Sequence, residues 1–200
     1  MTLRLLLALS LLLPAGLQAG GDGFGVSVMA GYRDGGRFDD PQGDRRRSVD
    51  GSAAFAVAVN LPHSPGRQYE FIYSRQDSGL EQSSIDLEVQ YIHFGGRVHF
   101  RGEQVRPYLA GGIGATHLRA RGVESGTDTR ASMSLALGLE FPVDSQWAAR
   151  LEVRGHGTLT GGQRDLLCLA GGDAGLECRV RYEGDTLVQM EALAGVTYRF

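Results

Sequence analysis

Lysine is absent from this 200-residue chain, so all 20 basic residues are arginine. Any basic patch therefore meets phosphate or carboxylate through planar, bidentate guanidinium groups. Cysteine occurs twice, tryptophan once and proline six times. No stretch after the N-terminus approaches the about 18 consecutive apolar residues of a membrane-spanning helix. That excludes a helical span and says nothing about strands. The formal charge is only −3, which argues against a bulk nucleic-acid binder. Glycine, by contrast, is abundant at 30 residues. Each interior Gly costs a helix about 1 kcal/mol, so a helical bundle is excluded. No Gly-X-Y period is present, which removes collagen. At 42% hydrophobic residues the chain is also too apolar for a disordered one.

The N-terminus carries a different signal. Arg4 precedes a run from Leu5 to Leu13 broken only by Ser10, then Pro14 and small residues ending at Ala19. A basic start, a short apolar core and a small-residue exit read as a secretory signal peptide over 1–19, leaving 20–200 as the exported domain.

Within that domain the period is two. Phe24, Val26, Val28, Ala30 and Tyr32 share one face of a first segment. Val49, Ala53, Phe55, Val57, Val59 and Leu61 do so in a second, and Tyr69, Phe71 and Tyr73 in a third. Ile85, Leu87, Val89 and Tyr91 form the apolar face of a fourth, opposite Asp86, Glu88 and Gln90. The fifth, 105–118, is blurred by glycines. Met133, Leu135, Leu137, Leu139 and Phe141 mark the sixth; Trp147, Ala149, Leu151 and Val153 the seventh; Val188 to Phe200 the eighth. Eight half-apolar strands are expected.

The connections alternate in length. Residues 34–48, 75–83, 119–130 and 157–185 are long and polar, whereas 62–66, 101–104 and 142–146 are short. Aromatic residues cluster near strand ends on the apolar faces, and ionised groups sit mid-strand on the polar ones. Long outer loops, tight inner turns and an aromatic girdle are the pattern of a membrane barrel. The expected fold is all-β: an eight-stranded antiparallel up-and-down transmembrane β-barrel.

At this point the residues resemble a known family. The terminal run Val196-Thr197-Tyr198-Arg199-Phe200 looks like the assembly signal of small eight-stranded outer-membrane barrel proteins of Gram-negative bacteria, the OmpA, OmpX and OmpW-like group. Residues 86–96 and 106–114 look like the central strand-turn-strand of such barrels. The resemblance implies location in the cell outer membrane, reached through the periplasm. It also implies Val196, Tyr198 and Phe200 as the signal read by the barrel-assembly machinery, and contact with lipid and lipopolysaccharide. A monomer without nucleic-acid partners is expected, and no cofactor.

Strict alternation through the fourth strand, with Leu87, Val89 and Tyr91 outward, would point His93, Arg97 and His99 at lipid. A bulge at Gly95-Gly96 is expected to correct this. An eight-stranded barrel has room only for side chains, so inward charges must pair. Glu140, Arg150, Glu152, Arg154 and Glu191 are expected to form a lumenal ion-pair network that plugs the barrel. Cys168 and Cys178 lie in the longest loop of an exported chain and are expected to form a disulfide. Arg45, Arg46 and Arg47 are candidates for contact with lipopolysaccharide phosphates.

Some barrels of this kind deacylate lipid A with a His and a Ser on the outer surface. His156-Gly157-Thr158 is the nearest approach, but alternation points His156 inward and the hydroxyl belongs to Thr. The five histidines (63, 93, 99, 117, 156) show no metal-ligand spacing. The expectation is therefore a non-enzymatic protein with a structural or adhesive role, working through its loops. The alternative is an OmpW-like channel for small apolar molecules, for which Met29, Ile72 and Leu187 would line the upper inner wall. A lipid A-modifying enzyme stands behind both.

Overall fold

A sheet whose apolar face looks outward cannot leave unpaired edges, because open hydrogen-bonding groups have no partner in hydrocarbon. The computed structural model describes residues 23–39, 46–48, 51–79, 86–102, 104–121, 126–159, 165–171, 175–181 and 186–200. In chain order its strands are β1 (Gly25–Gly35), β2 (Arg37–Asp39), β3 (Arg46–Ser48), β4 (Ser52–Ser64), β5 (Arg67–Gly79) and β6 (Asp86–His99). They continue as β7 (Arg106–Arg121), β8 (Gly126–Pro142), β9 (Trp147–Leu159), β10 (Asp165–Gly171), β11 (Gly175–Arg181) and β12 (Thr186–Arg199). Eight close into a barrel in the order β1-β12-β9-β8-β7-β6-β5-β4, with β1 pairing antiparallel to both β12 and β4. The other four form a small sheet, β10-β11-β2-β3, built from the first and last long connections.

Several barrel strands outrun the alternation read from sequence. β5 extends to Gly79, β7 to Arg121, and β8 begins at Gly126. The apolar pattern stops where the outer face leaves hydrocarbon, but the backbone ladder continues above it. Hydrophobicity marks the band, not the strand.

The expected faces hold on six strands, and on β7, where glycines blur the pattern, Tyr108, Ala110, Thr116 and Leu118 point inward. Leu135 and Leu137 point outward, more than 60% exposed, while the alternating Ser134 and Ala136 are buried. The fourth barrel strand, β6, corrects the sequence reading. Leu87, Val89, Tyr91, His93 and Arg97 all point inward, and Ile92, Phe94, Val98 and Phe100 face out. There is no bulge: Gly95 and Gly96 pair one-to-one with Gly112 and Gly111 on one side and with Glu70 and Tyr69 on the other. The strand never changes register; its environment changes along its length. Near its top the outer face carries Glu88 and Gln90, and the inner face packs Leu87 and Val89 into the barrel. Gly95 itself is required by close approach, since a Cβ there would sit 1.9 Å from the Gly111 carbonyl oxygen.

The chain ends close the ring. Phe200 N–H donates to the Phe24 carbonyl (2.9 Å), and the two rings lie 5.2 Å apart. Tyr198 packs edge-on against both Trp147 (4.9 Å) and Phe200 (4.8 Å). This is an aromatic girdle at the short-turn end. The neighbouring turn is capped by Asp144, whose Oδ1 accepts the N–H groups of Gln146 and Trp147, each at 2.7 Å. Those two donors hold the Asp144 carboxyl below the usual aspartate range. A lowered pKa means the cap is intact at neutral pH and is lost as pH falls through the folded-state value. The protection of the Trp147 amide, its exchange measured relative to the intrinsic rate at each pH, is expected to fall only at that acid end. Asp144→Asn is expected to remove that acid-end loss of protection.

Candidate functional site

The barrel axis is filled by arginine and glutamate. Arg33, Arg97, Arg150 and Arg154 are each at most 1% exposed. Unpaired burial of a guanidinium would be prohibitive, so each must find carboxylates or other acceptors. Glu70, on β5, supplies most of them. Its Oε1 accepts Arg154 Nη2 at 2.5 Å; its Oε2 accepts Arg97 Nη2 at 2.6 Å and Arg150 Nη2 at 3.0 Å. Glu152 binds Arg154 Nε at 2.8 Å and also pairs with Arg150. Tyr108 bridges the group: its hydroxyl donates to Glu152 (2.6 Å) and accepts from Arg150 Nε (2.7 Å), and its ring lies under Arg97 (4.5 Å). Arg154 also reaches Ser134, and Arg150 reaches Ser27, each at 3.1 Å.

Two further groups flank this centre. Toward the short turns, Glu140 pairs with Arg199 and lies 3.7 Å from Arg97. Toward the long loops, Glu191 takes Arg33 Nη2 (2.7 Å) and lies 3.0 Å from His156 Nε2, and Ser74 hydrogen-bonds both Arg33 and Glu191. His156 stacks on Tyr91 (3.9 Å), whose hydroxyl donates to Gln189 (2.7 Å). Met29, Ile72, Leu87, Val89, Leu118, Leu187 and Leu193 fill the remaining interior, none more than 3% exposed.

The five residues named from sequence all face the lumen, and four of them share one network. Arg150, Glu152 and Arg154 are together, and Glu140 joins them indirectly, through Arg97 and Glu70. Glu191 stands apart with Arg33 and His156; neither Glu140 nor Glu191 pairs directly with Arg150 or Arg154 among the described contacts. The hub, Glu70, was not expected to be a partner. Its strand and β9 stand four places apart in a ring of eight, directly across the lumen. A search confined to neighbouring strands misses it, although alternation had already placed Glu70 inside. Arginine is long enough to bridge so narrow a barrel.

His156 and Thr158 both point inward, and Thr158 is hydrogen-bonded to Thr116 (2.8 Å). A His–Ser contact that the sequence did not suggest joins His93 Nε2 to Ser132 Oγ at 2.8 Å, with both residues buried. No group of three potential metal ligands occurs among the described residues. Val196 is exposed on the outer wall and Tyr198 and Phe200 are in the girdle. The backbones of Cys168 and Cys178 are direct partners across the β10–β11 hairpin. Arg46 and Arg47 lie in β3, paired with Asp39 and Phe38 of β2. Residues 1–19, expected from sequence to be a signal peptide, and Arg45 lie outside the described residues.

A family model described as the outer membrane protein beta-barrel domain matches residues 5–200. A search of curated proteins finds no match. Among solved structures, Neisserial surface protein A aligns with a TM-score of 0.61 at 14% identity, covering 89% of this chain and 97% of that one. The outer membrane protein AlkL, solved in lipid bilayers, gives 0.56 at 13% identity, covering 94% and 95%. The outer membrane protease OmpT from Escherichia coli gives 0.51 at 9%, covering 90% and 97%. A surface protein and a protease thus share this fold, so the likeness speaks for architecture and not for activity. With residues 5–200 matched and an outward-facing apolar wall, the chain belongs to the outer membrane protein β-barrel domain family and resides in the cell outer membrane.

Proposed function

We propose that this protein is a closed outer-membrane barrel whose lumen is a structural plug and whose work is done outside the membrane, in a structural or adhesive role. The supporting observation is the set of four arginines, each at most 1% exposed, paired with Glu70, Glu152 and Glu191; two of them, Arg150 and Arg154, reach across the lumen to Glu70. A conducting barrel needs water along its axis, and side chains stand there instead. The external segments provide a platform: β2, β3, β10 and β11 extend the first and last connections into a sheet of their own. Arg45, Arg46 and Arg47 in the first connection are suited to phosphate groups of lipopolysaccharide. Purified protein in planar bilayers is expected to give no steady conductance. Large, long-lived openings would overturn the proposal.

A disulfide between Cys168 and Cys178 belongs to the same reading. Directly opposed residues of an antiparallel pair have Cα atoms about 4.5–5.5 Å apart, within the range a disulfide spans. The oxidised protein is expected to be two hydrogens lighter than the reduced one by intact mass. Alkylation of both thiols without prior reduction would exclude the bond.

One observation favours a second reading, passage of small apolar molecules. With β6 in its observed register, Leu87 and Val89 join Leu118 and Leu187 inside the upper barrel. All four are at most 2% exposed, so this apolar zone is filled. Uptake of a small apolar tracer into vesicles carrying the protein is expected to match that of empty vesicles. Faster uptake would favour the channel.

A further inference from the structure

The outer wall of the barrel is not smooth. A groove of about 770 Å³ crosses β6 to β9 and reaches β12, within the range of small-molecule sites. Its rim is Phe94, Ile113, Met133 and Val188, and its floor is Gly111, Gly155 and Gly157. The ladders explain its shape. Phe94, Ile113, Met133, Gly157 and Val188 form one cross-strand row, in which Gly157 is the gap between large apolar neighbours.

The backbone does not need glycine at two of these floor positions. A Cβ at Gly111 would meet nothing nearer than the Ser134 carbonyl oxygen at 3.5 Å, and at Gly157 nothing nearer than Thr186 Cγ2 at 3.6 Å. Neither has a positive φ. By contrast, a Cβ at the inward Gly114 would sit 1.9 Å from the Ile92 carbonyl oxygen. Gly114 is fixed by close approach, whereas Gly111 and Gly157 serve only to keep the groove open. An opening in hydrocarbon fills with hydrocarbon, and its walls gain dispersion contacts from whatever lies in it.

What lies above the groove limits the occupant. Two rows toward the long-loop end, Gln90, His117 and Thr129 form the outward row, and the next holds Glu88 and Arg119. His117 is held through Nδ1 by Thr129 Oγ1 at 2.8 Å. Glu88, opposite Arg119, is turned away: it is 2% exposed and engaged by Arg75 (3.2 Å) and Gln90. Arg119 is exposed, with no hydrogen bond or ion pair among the described residues. Four residues along a tilted strand separate Ile113 from His117, about 10 Å of height. A cation therefore stands at headgroup level above an acyl-sized groove.

We propose that the groove holds one acyl chain of lipopolysaccharide, a phosphorylated glycolipid of the outer leaflet, with Arg119 and His117 binding its phosphate. This is a site on the membrane-embedded wall and does not depend on the plugged lumen or on the loop arginines. The test uses the full folded protein in nanodiscs of phosphatidylethanolamine and phosphatidylglycerol, with and without purified lipopolysaccharide, and reads retained lipid by native mass spectrometry. The wild type is expected to retain lipopolysaccharide in preference to phosphatidylglycerol. Gly157→Leu, which fills the groove, and Arg119→Ser, which removes the cation, are each expected to lower retention about tenfold, the scale of one charge-assisted hydrogen bond. Heat-dependent gel mobility reports that each variant is folded, and Gly111→Leu replaces Gly157→Leu if that variant is not. Equal retention of phosphatidylglycerol, unchanged retention in the variants, or a dimer that Gly157→Leu dissociates would each overturn the proposal.

Discussion

Glu70→Ala is expected to destabilise the folded barrel by about 3–5 kcal/mol, the cost of breaking a buried ion pair from one side. Glu70 binds Arg97, Arg150 and Arg154. Removing it does not return those guanidinium groups to water, because they remain enclosed by the wall. Arg154 and Arg150 retain Glu152, whereas the one carboxylate left to Arg97 among the described residues is Glu140, at the longer distance of 3.7 Å. Arg97 is therefore the group left most exposed to the loss. Combining Glu70→Ala with Arg97→Met is expected to recover part of the stability, since removing both partners avoids an uncompensated buried charge. Unfolding by urea in lipid vesicles, followed by tryptophan fluorescence and by gel mobility, measures both. A change below about 1 kcal/mol for Glu70→Ala would mean the pairs are solvated, because exposed ion pairs contribute no more than that. The lumen would then be wet and the plug reading would fail.

The barrel was legible because lipid imposes the simplest of patterns. Each outward position in the band must be apolar or small, and the rule repeats every second residue, as in Val196 and Tyr198 or Leu135 and Leu137. Where the rule's cause stops, its reading stops too. At Leu87 and Val89 the apolar face is the inner one, since the outer face has risen to headgroup level and carries Glu88 and Gln90. Periodicity alone gives the same pattern for either orientation, so the first half of the fourth strand reads backwards and a bulge is expected where none occurs; beyond it Val98 and Phe100 face out and Arg97 in, as expected. The lumenal charges were legible as a set but not as pairs. Alternation tells which residues point inward, whereas the pairing of Arg154 with Glu70 depends on which strands oppose each other across a closed ring. Only the order β1-β12-β9-β8-β7-β6-β5-β4 supplies that. The groove over Gly111 and Gly157 was invisible for a related reason. It needs the registers of β7, β8 and β9 at once, and glycine in a strand otherwise reads as a weakening or a bulge.

The outward wall leads to the second large effect, Leu137→Arg. Leu137 is 64% exposed near the middle of the apolar stretch of β8, with Leu135 and Leu139 on either side. In a water-soluble protein, an exposed leucine replaced by arginine would change stability by a few tenths of a kcal/mol. Facing hydrocarbon, the same substitution is expected to cost about 2–4 kcal/mol, because a guanidinium at the bilayer midplane must snorkel or thin the membrane. Val143 provides the internal control. It is 72% exposed, slightly more than Leu137, but stands in the short turn after β8. Val143→Arg is expected to cost about 0–1 kcal/mol, as interfacial positions do. The two variants make the same chemical change at similar exposure, so their difference isolates depth in the bilayer. Urea unfolding of both in the same vesicles gives that difference directly. Equal costs would mean that Leu137 does not meet lipid, whereas the expected gap places it at the centre of the wall and the short turns at its edge.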